Sequence, residues 1–141
     1  MNPSSADTNE NNCFYSDNFK DYRGKLIELC WMEKLWLTHV NKHPEIIDPI
    51  TASELIKKTL LEPSLVVTGY RPGETSEMLV CYYKEHKRNE NDVYYTKVVV
   101  GCSGTTLYVK TVFIRWALCM YAVQEKKYNF KELYRDNKTY L

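Results

Sequence analysis

Residues 64–114 set the tightest limit on what this chain can fold into. Four stretches rich in β-branched and aromatic residues, "SLVVTGY", "EMLVCYYKE", "VYYTKVVVG" and "TLYVKTVFI", are separated by short segments containing "RPGET", "HKRNEND" and "CSGT". The first group of residues suits a pleated, half-buried surface, and the Gly, Pro, Asn and Asp between them suit turns. Strands joined by connections this short pair antiparallel. The pattern therefore predicts a four-stranded meander, with "HKRNEND" as a charged hairpin loop and a tight turn at Gly104.

A helix precedes this block. In "DPITASELIKKTLLEP", Thr51 and Glu54 have the Thr-x-x-Glu spacing of a capping box. Ala52, Leu55, Ile56, Thr59 and Leu60 then form one apolar face, and Glu62-Pro63 closes the element. That face is expected to cover one side of the sheet. Upstream, "KLIELCWMEKLWLTHV" begins with strand-like alternation at Leu26, Glu28 and Cys30, while "EKLWLTHVNKH" has helical spacing. The helix must stop by His43, because a proline pushes the residue before it out of helical space. The expected fold class is α+β, with N-terminal helices packed on a curled four-stranded antiparallel sheet. Residues 1–18, rich in Asn, Ser and Asp, read as a disordered tail, and residues 19–141 as a single domain. A closing helix is expected over 116–133, and "YNFKELYRDNKTYL" reads as peripheral.

Composition narrows the functional classes. A length of 141 residues suits one domain, and a net charge of +1 argues against a strongly electrostatic DNA binder. The five cysteines are odd in number and form no C-x-x-C pair, so reduced buried thiols are expected rather than a zinc ribbon or a disulfide framework. No signal peptide is visible, and the apolar run "WALCMYAV" is far shorter than a membrane span. The expected setting is cytoplasmic, with no membrane, metal or cofactor involved.

The segment "LTHVNKHPE" places His39 and His43 four residues apart, followed at once by Pro44 and Glu45. Three readings stay open on these residues alone. On a helix the two imidazoles share one face, as a metal pair would, but the zincin pattern needs glutamate where Val40 stands. An ordinary helix end is the plainer reading of a histidine pair, with His43 near the C-terminal dipole, Pro44 as the stop and Glu45 as a solvated charge. The third reading is acid–base catalysis, since two histidines can divide proton removal and proton donation near neutral pH. Such a site needs cations for a phosphate, which Lys84, Lys97 and Lys110 could supply from the strands. By simple alternation Lys97 and Lys110 would instead point to solvent.

The order "W…THVNKHPEI", a helix ending "LLEPSLVV", then "CYYKE", "KVVV" and "LYVKTV" resembles the BECR-fold nucleases, which unite barnase, EndoU, colicin and RelE-like enzymes. It is similar in particular to their phage-associated branch, over residues 31 to 114. The most specific part is His39-x-x-x-His43-Pro44-Glu45 followed by the strand starting after Pro63. The resemblance implies metal-independent RNA cleavage, in which the ribose 2′-hydroxyl attacks the neighbouring phosphorus and leaves a 2′,3′-cyclic phosphate. It implies His39 and His43 as the acid–base pair, Lys97 as the cation for the phosphorane and Thr111 as a donor to the phosphate. Glu45, Tyr83 and Lys84 fall on the substrate-binding side, with Glu45 placed to orient or titrate a histidine. The family pattern has alanine after the last-strand threonine, where this chain has Val112.

The function this implies is an endoribonuclease of toxin or phage-associated effector type, acting on tRNA or mRNA and held in check by an antitoxin or immunity protein. The alternative is a non-catalytic protein- or nucleic-acid-binding module. Trp31, Trp36 and Trp116 read as core. In the pairs Tyr82-Tyr83 and Tyr94-Tyr95 one member must face each side of the sheet, leaving either an aromatic stacking row or a core edge. His86 reads as part of a solvated loop tip, and Arg71 as a turn residue within reach of a phosphate.

Overall fold

The computed structural model describes residues 13–32, 48–70, 78–117 and 130–138. Within them lie β1 (Cys13–Lys20), β2 (Leu26–Met32), α1 (Pro49–Leu61), β3 (Leu65–Tyr70), β4 (Met78–Asn89), β5 (Asp92–Ser103), β6 (Thr106–Ala117) and β7 (Lys131–Arg135). The strands form one seven-stranded sheet in the order β1-β2-β6-β5-β4-β3-β7. Neighbours pair antiparallel except β2 and β6, which run parallel through only Ile27↔Leu107 and Glu28↔Tyr108.

The expected α+β class, with N-terminal helices on a four-stranded antiparallel sheet, is thus corrected. The described chain is mostly β, a seven-stranded mixed sheet with a single helix. The meander strands β3 to β6 are its centre, and the β1–β2 hairpin extends it at one side while β7 extends it at the other. Residues 13–18, assigned by composition to a disordered tail, form most of β1. The helix expected over 116–133 is also corrected at both of its ends. Trp116 and Ala117 close β6, and residues 131–133 lie in β7, paired antiparallel with β3. The helix proposed around His39 and His43 lies outside the described residues.

Pairing explains the charged stretch as well. The expected loop at 86–92 shrinks to Glu90 and Asn91, because β4 runs on to Asn89 and β5 starts at Asp92. Long polar side chains are tolerated there because this end of the hairpin is exposed or half-exposed on both faces.

The helix starts earlier than its capping-box pattern suggests. Asp48 is the N-cap, its Oδ1 accepting from Thr51 N at 2.7 Å and its Oδ2 from Thr51 Oγ1 at 3.2 Å, and Pro49 takes the first turn. Ala52, Ile56 and Leu60 are fully buried against one face of the sheet, in a core with Ile27, Trp31, Val66, Tyr82, Val98 and Val112. The Trp31 indole donates to Ser53 Oγ at 3.3 Å, which satisfies its N–H inside that core. The other face has its own core of Leu65, Val67, Leu79, Cys81, Tyr83, Tyr95 and Val99, joined by half-buried Phe130. Being covered on both faces, β5 is buried continuously from Tyr95 to Gly101, which accounts for its run of valines.

The turn between β1 and β2 is built around Asp21. Its Oδ1 accepts from the backbone N–H of Arg23 and of Lys25, each at 2.9 Å, and Gly24 takes φ +84°. Cys13 and Cys30 join β1 to β2 by a disulfide, with Cα atoms 5.3 Å apart. That corrects the expectation of reduced thiols at these two positions. Cys81 is a buried free thiol and Cys102 an exposed one. No helix among the described residues is long and apolar enough to cross a membrane.

Candidate functional site

Strand register decides which of the singled-out residues meet. Lys97 on β5 lies opposite Tyr83 on β4 and opposite Phe113 on β6, and Val99 lies opposite Thr111. Cross-strand partners share a face, so Lys97, Tyr83 and Thr111 all project from the side away from α1. Tyr95 and Glu85 are there too, with the Tyr95 hydroxyl donating to Glu85 Oε2 at 2.8 Å.

The environment of Lys97 is unusual for an ammonium. The residue is 2% exposed. Its Nζ lies 5.7 Å from the Tyr83 ring centroid and 5.5 Å from that of Phe113, so two aromatic faces receive the charge. The expectation that Lys97 points to solvent by alternation is therefore corrected. Alternation holds, but this face is covered, so the outward side of the meander is a second core. The Thr111 hydroxyl oxygen is buried and, among the described residues, has no hydrogen-bond partner. A buried hydroxyl without a partner costs free energy on the order of 1–3 kcal/mol, so it is a group with hydrogen bonds left to make.

Lys84 goes elsewhere. It pairs with Thr96 on the face of α1, opposite to Lys97, so it cannot join Lys97 and Tyr83 around one phosphate. Lys110, half-buried, borders a cleft of about 650 Å³ between the diverging β2 and β6, along with Asp17, Glu28 and Tyr108. His39, His43 and Glu45 lie outside the described residues, as does Arg71. No three His, Cys, Asp or Glu side chains come together as a metal-ligand set among the described residues.

The tyrosine pairs divide as strand geometry requires. Tyr82 faces α1 and Tyr83 the other core, and both are fully buried, as is Tyr95. They form no exposed stacking row, since only Tyr94 of the four is half-buried. The Tyr82 hydroxyl donates to Asp21 Oδ2 at 2.8 Å. Burial, and then the adjoining Asp21 carboxylate, hold the Tyr82 phenol well above its ordinary pKa of 10.

The residue that sequence reasoning missed is His86. Its Nε2 is 2.7 Å from Thr96 Oγ1, and its ring stacks on Tyr94 with centroids 5.1 Å apart and planes at 23°. Burial first, then the charges of Lys58 and Lys84, lower its pKa below 6.5. The ring is therefore neutral at pH 7 and positioned by a hydroxyl. Its charged neighbours in "KEHKRNEND" gave it the look of a loop tip, whereas an alternating register of strand residues would have placed it beside Lys84.

Compared with models of protein families, with curated proteins and with solved structures, the chain matches none.

Proposed function

We propose that this protein is a metal-independent endoribonuclease in which a buried lysine, rather than a cation in solution, offsets the charge that develops on phosphorus. The observation that supports this reading is that buried Lys97 projects from the same sheet face as Thr111, whose hydroxyl has no hydrogen-bond partner among the described residues. In-line attack by a ribose 2′-hydroxyl on the adjacent phosphate builds a dianionic phosphorane. A preorganised cation and a hydroxyl donor stabilise it most in a water-poor setting. One histidine of the His39–His43 pair takes the 2′-hydroxyl proton and the other returns a proton to the departing 5′-oxygen. The products are a 2′,3′-cyclic phosphate and a free 5′-hydroxyl, and all atoms come from the RNA itself.

A second reading, a non-catalytic binding module, is favoured by one observation. Lys97 and Tyr83 are almost fully enclosed, as core residues are, so a phosphate reaches them only if the covering layer moves aside. One experiment separates the two. A mixed tRNA and mRNA pool is incubated with the protein in EDTA, beside His39→Ala, His43→Ala and Lys97→Met variants. Fragments ending in cyclic phosphate, reduced roughly 100-fold or more by each histidine change and by loss of Lys97, support the nuclease. Intact RNA with folded wild-type protein, in EDTA or with added divalent metal, leaves the binding module.

A further inference from the structure

Helix α1 leaves one end of its own sheet face uncovered. Ala52, Ile56 and Leu60 pack with Val66, Tyr82, Val98 and Val112, and the β1–β2 turn reaches the sheet through the hydrogen bond from Tyr82 to Asp21. At the end where β3 and β5 stop and β4 and β6 begin, this face opens into a cavity of about 310 Å³. From the sheet, Val80, Val100 and Leu107 line it, and all three belong to the helix-side core or pack against it. Met78 on β4 and Leu133 on β7 line it too, and they are 47% and 44% exposed. Large apolar side chains exposed around an apolar concavity mark a surface that a ligand can cover.

The charge at this cavity is one-sided. Arg23 and Lys25 of the β1–β2 turn both line it, and no acidic side chain does so among the described residues. Asp21 answers Arg23 at 3.3 Å. The same carboxylate accepts from the Tyr82 hydroxyl and from the backbone N–H of Arg23 and of Lys25, which fills its lone-pair directions. The Lys25 side chain is exposed, and among the described residues its ammonium has no ion-pair partner. With Asp21 offsetting Arg23, Lys25 leaves a single positive charge beside an apolar hollow.

We propose that this cavity binds a small monoanionic amphiphile, a medium-chain fatty carboxylate, with its alkyl chain over Val80, Val100 and Leu107 and its carboxylate at Lys25. The chain removes apolar surface from water, and the carboxylate accepts charge-assisted hydrogen bonds from the ammonium. One negative charge matches the one positive charge left over. At about 310 Å³ the cavity stands at the small end of ligand sites, which span roughly 300–1,000 Å³, so it suits one short chain rather than a two-chain lipid. The exposed free thiol of Cys102 lines the same cavity and reports on its occupancy. This proposal does not rest on the cleavage reading, because Val80 and Tyr82 face α1 whereas Lys97 and Thr111 project from the other side of the sheet.

The test is the rate at which iodoacetamide, a neutral reagent, alkylates Cys102 in the full-length chain, followed by mass spectrometry on the peptide that carries it. Decanoate below its micellar concentration is expected to slow that rate saturably, by about 5-fold or more, because an occupied cavity shields the thiol. Decanol, with the chain and no charge, should need a concentration about tenfold higher for the same effect. Acetate, with the charge and no chain, should protect nothing. In Lys25→Gln the half-maximal decanoate concentration should rise about 5-fold while that of decanol stays where it was. Lys25 is exposed, so this change keeps the fold. Alkylation that decanoate does not slow, or that acetate slows equally, overturns the site. Decanol as potent as decanoate, or a decanoate response unchanged in Lys25→Gln, overturns the anionic ligand. None of these readouts involves RNA, so this proposal and the cleavage reading fail separately.

Discussion

The hydroxyl of Tyr82 ties the β1–β2 turn to the middle of the sheet. It donates to Asp21 Oδ2, whose carboxylate also organises the turn and pairs with Arg23 at 3.3 Å. Replacing Tyr82 by Phe removes a buried hydrogen bond to a charged acceptor and is expected to cost about 2 kcal/mol, read as a lower midpoint in urea. An unchanged midpoint would mean that water replaces the phenol without loss. The pH dependence has a definite sign. The folded-state pKa of Tyr82 is raised, chiefly by burial, so its contribution is complete below the unfolded value of about 10 and is lost as pH rises beyond it. Wild type should lose stability on alkaline titration from that point, and Tyr82→Phe should lose less. His86 works at the other end of the scale. Its depressed pKa means that stability is full above 6.5 and falls as pH drops through the folded value, a loss that His86→Asn should relieve in acid denaturation. At this scale the pairing of tyrosines onto opposite faces was legible from strand alternation alone. Which face was covered was not, because alternation states that Lys97 and Tyr83 share a side without stating what packs over it.

Among the elements, the helix and the meander were read from local signals that their neighbours reinforce. The cap was misread because Thr51 is a good N-cap type, yet Asp48 followed by Pro49 is better, as proline supplies the helical φ without wasting an N–H. Thr51 donates to that aspartate instead of capping. Asp48→Ala is expected to cost about 1 kcal/mol, measured by urea denaturation, whereas Glu54→Ala, at the other end of the supposed capping box, should lie within roughly 0.5 kcal/mol of wild type. Strand β7 escaped notice for a different reason, since "KELYR" is fully exposed along its length and its partner β3 lies more than sixty residues upstream. What seats the segment before it is visible in a single glycine. A Cβ built on Gly69 would come within 2.5 Å of Phe130 Cδ1, so the bare backbone of β3 makes room for that ring. Gly69→Ala should destabilise by about 2 kcal/mol through overpacking, although alanine is otherwise the better strand residue. In a Phe130→Ala background the same change should cost less than about 0.5 kcal/mol, and equal costs in both backgrounds would sink the steric account.

At the scale of the whole sheet, the described residues have one thin seam. The meander β3 to β6 is paired along most of its length, but the β1–β2 hairpin meets it through two parallel register pairs only. Three further ties hold the hairpin in place. Tyr22 N donates to Leu60 O at 2.8 Å at the end of α1, Tyr82 reaches Asp21, and Phe19, Ile27, Leu29 and Trp31 contribute to the helix-side core. The Cys13–Cys30 disulfide then closes a separation of 17 residues inside the hairpin itself. Trp31 as a core residue and a strand from Leu26 were legible beforehand, but the hairpin's docking was not, because it joins a strand some eighty residues downstream and no local pattern names that partner. The cysteine count misled for a related reason, as spacing says nothing about which thiols face each other across two strands. Closing a loop of this size restrains the unfolded chain by about 3 kcal/mol, so reduction, or Cys13→Ser with Cys30→Ser, should lower the urea midpoint by that order. The loss should also be uneven. Backbone amides of β1 and β2 are expected to exchange with solvent through local opening at the seam once the disulfide is reduced, while those of β4 and β5 keep the protection of global unfolding. Hydrogen exchange with and without reductant decides this. If the amides of all strands lose protection by the same factor, the hairpin and the meander are one cooperative unit, and the two register pairs between β2 and β6 are a stronger join than their number suggests.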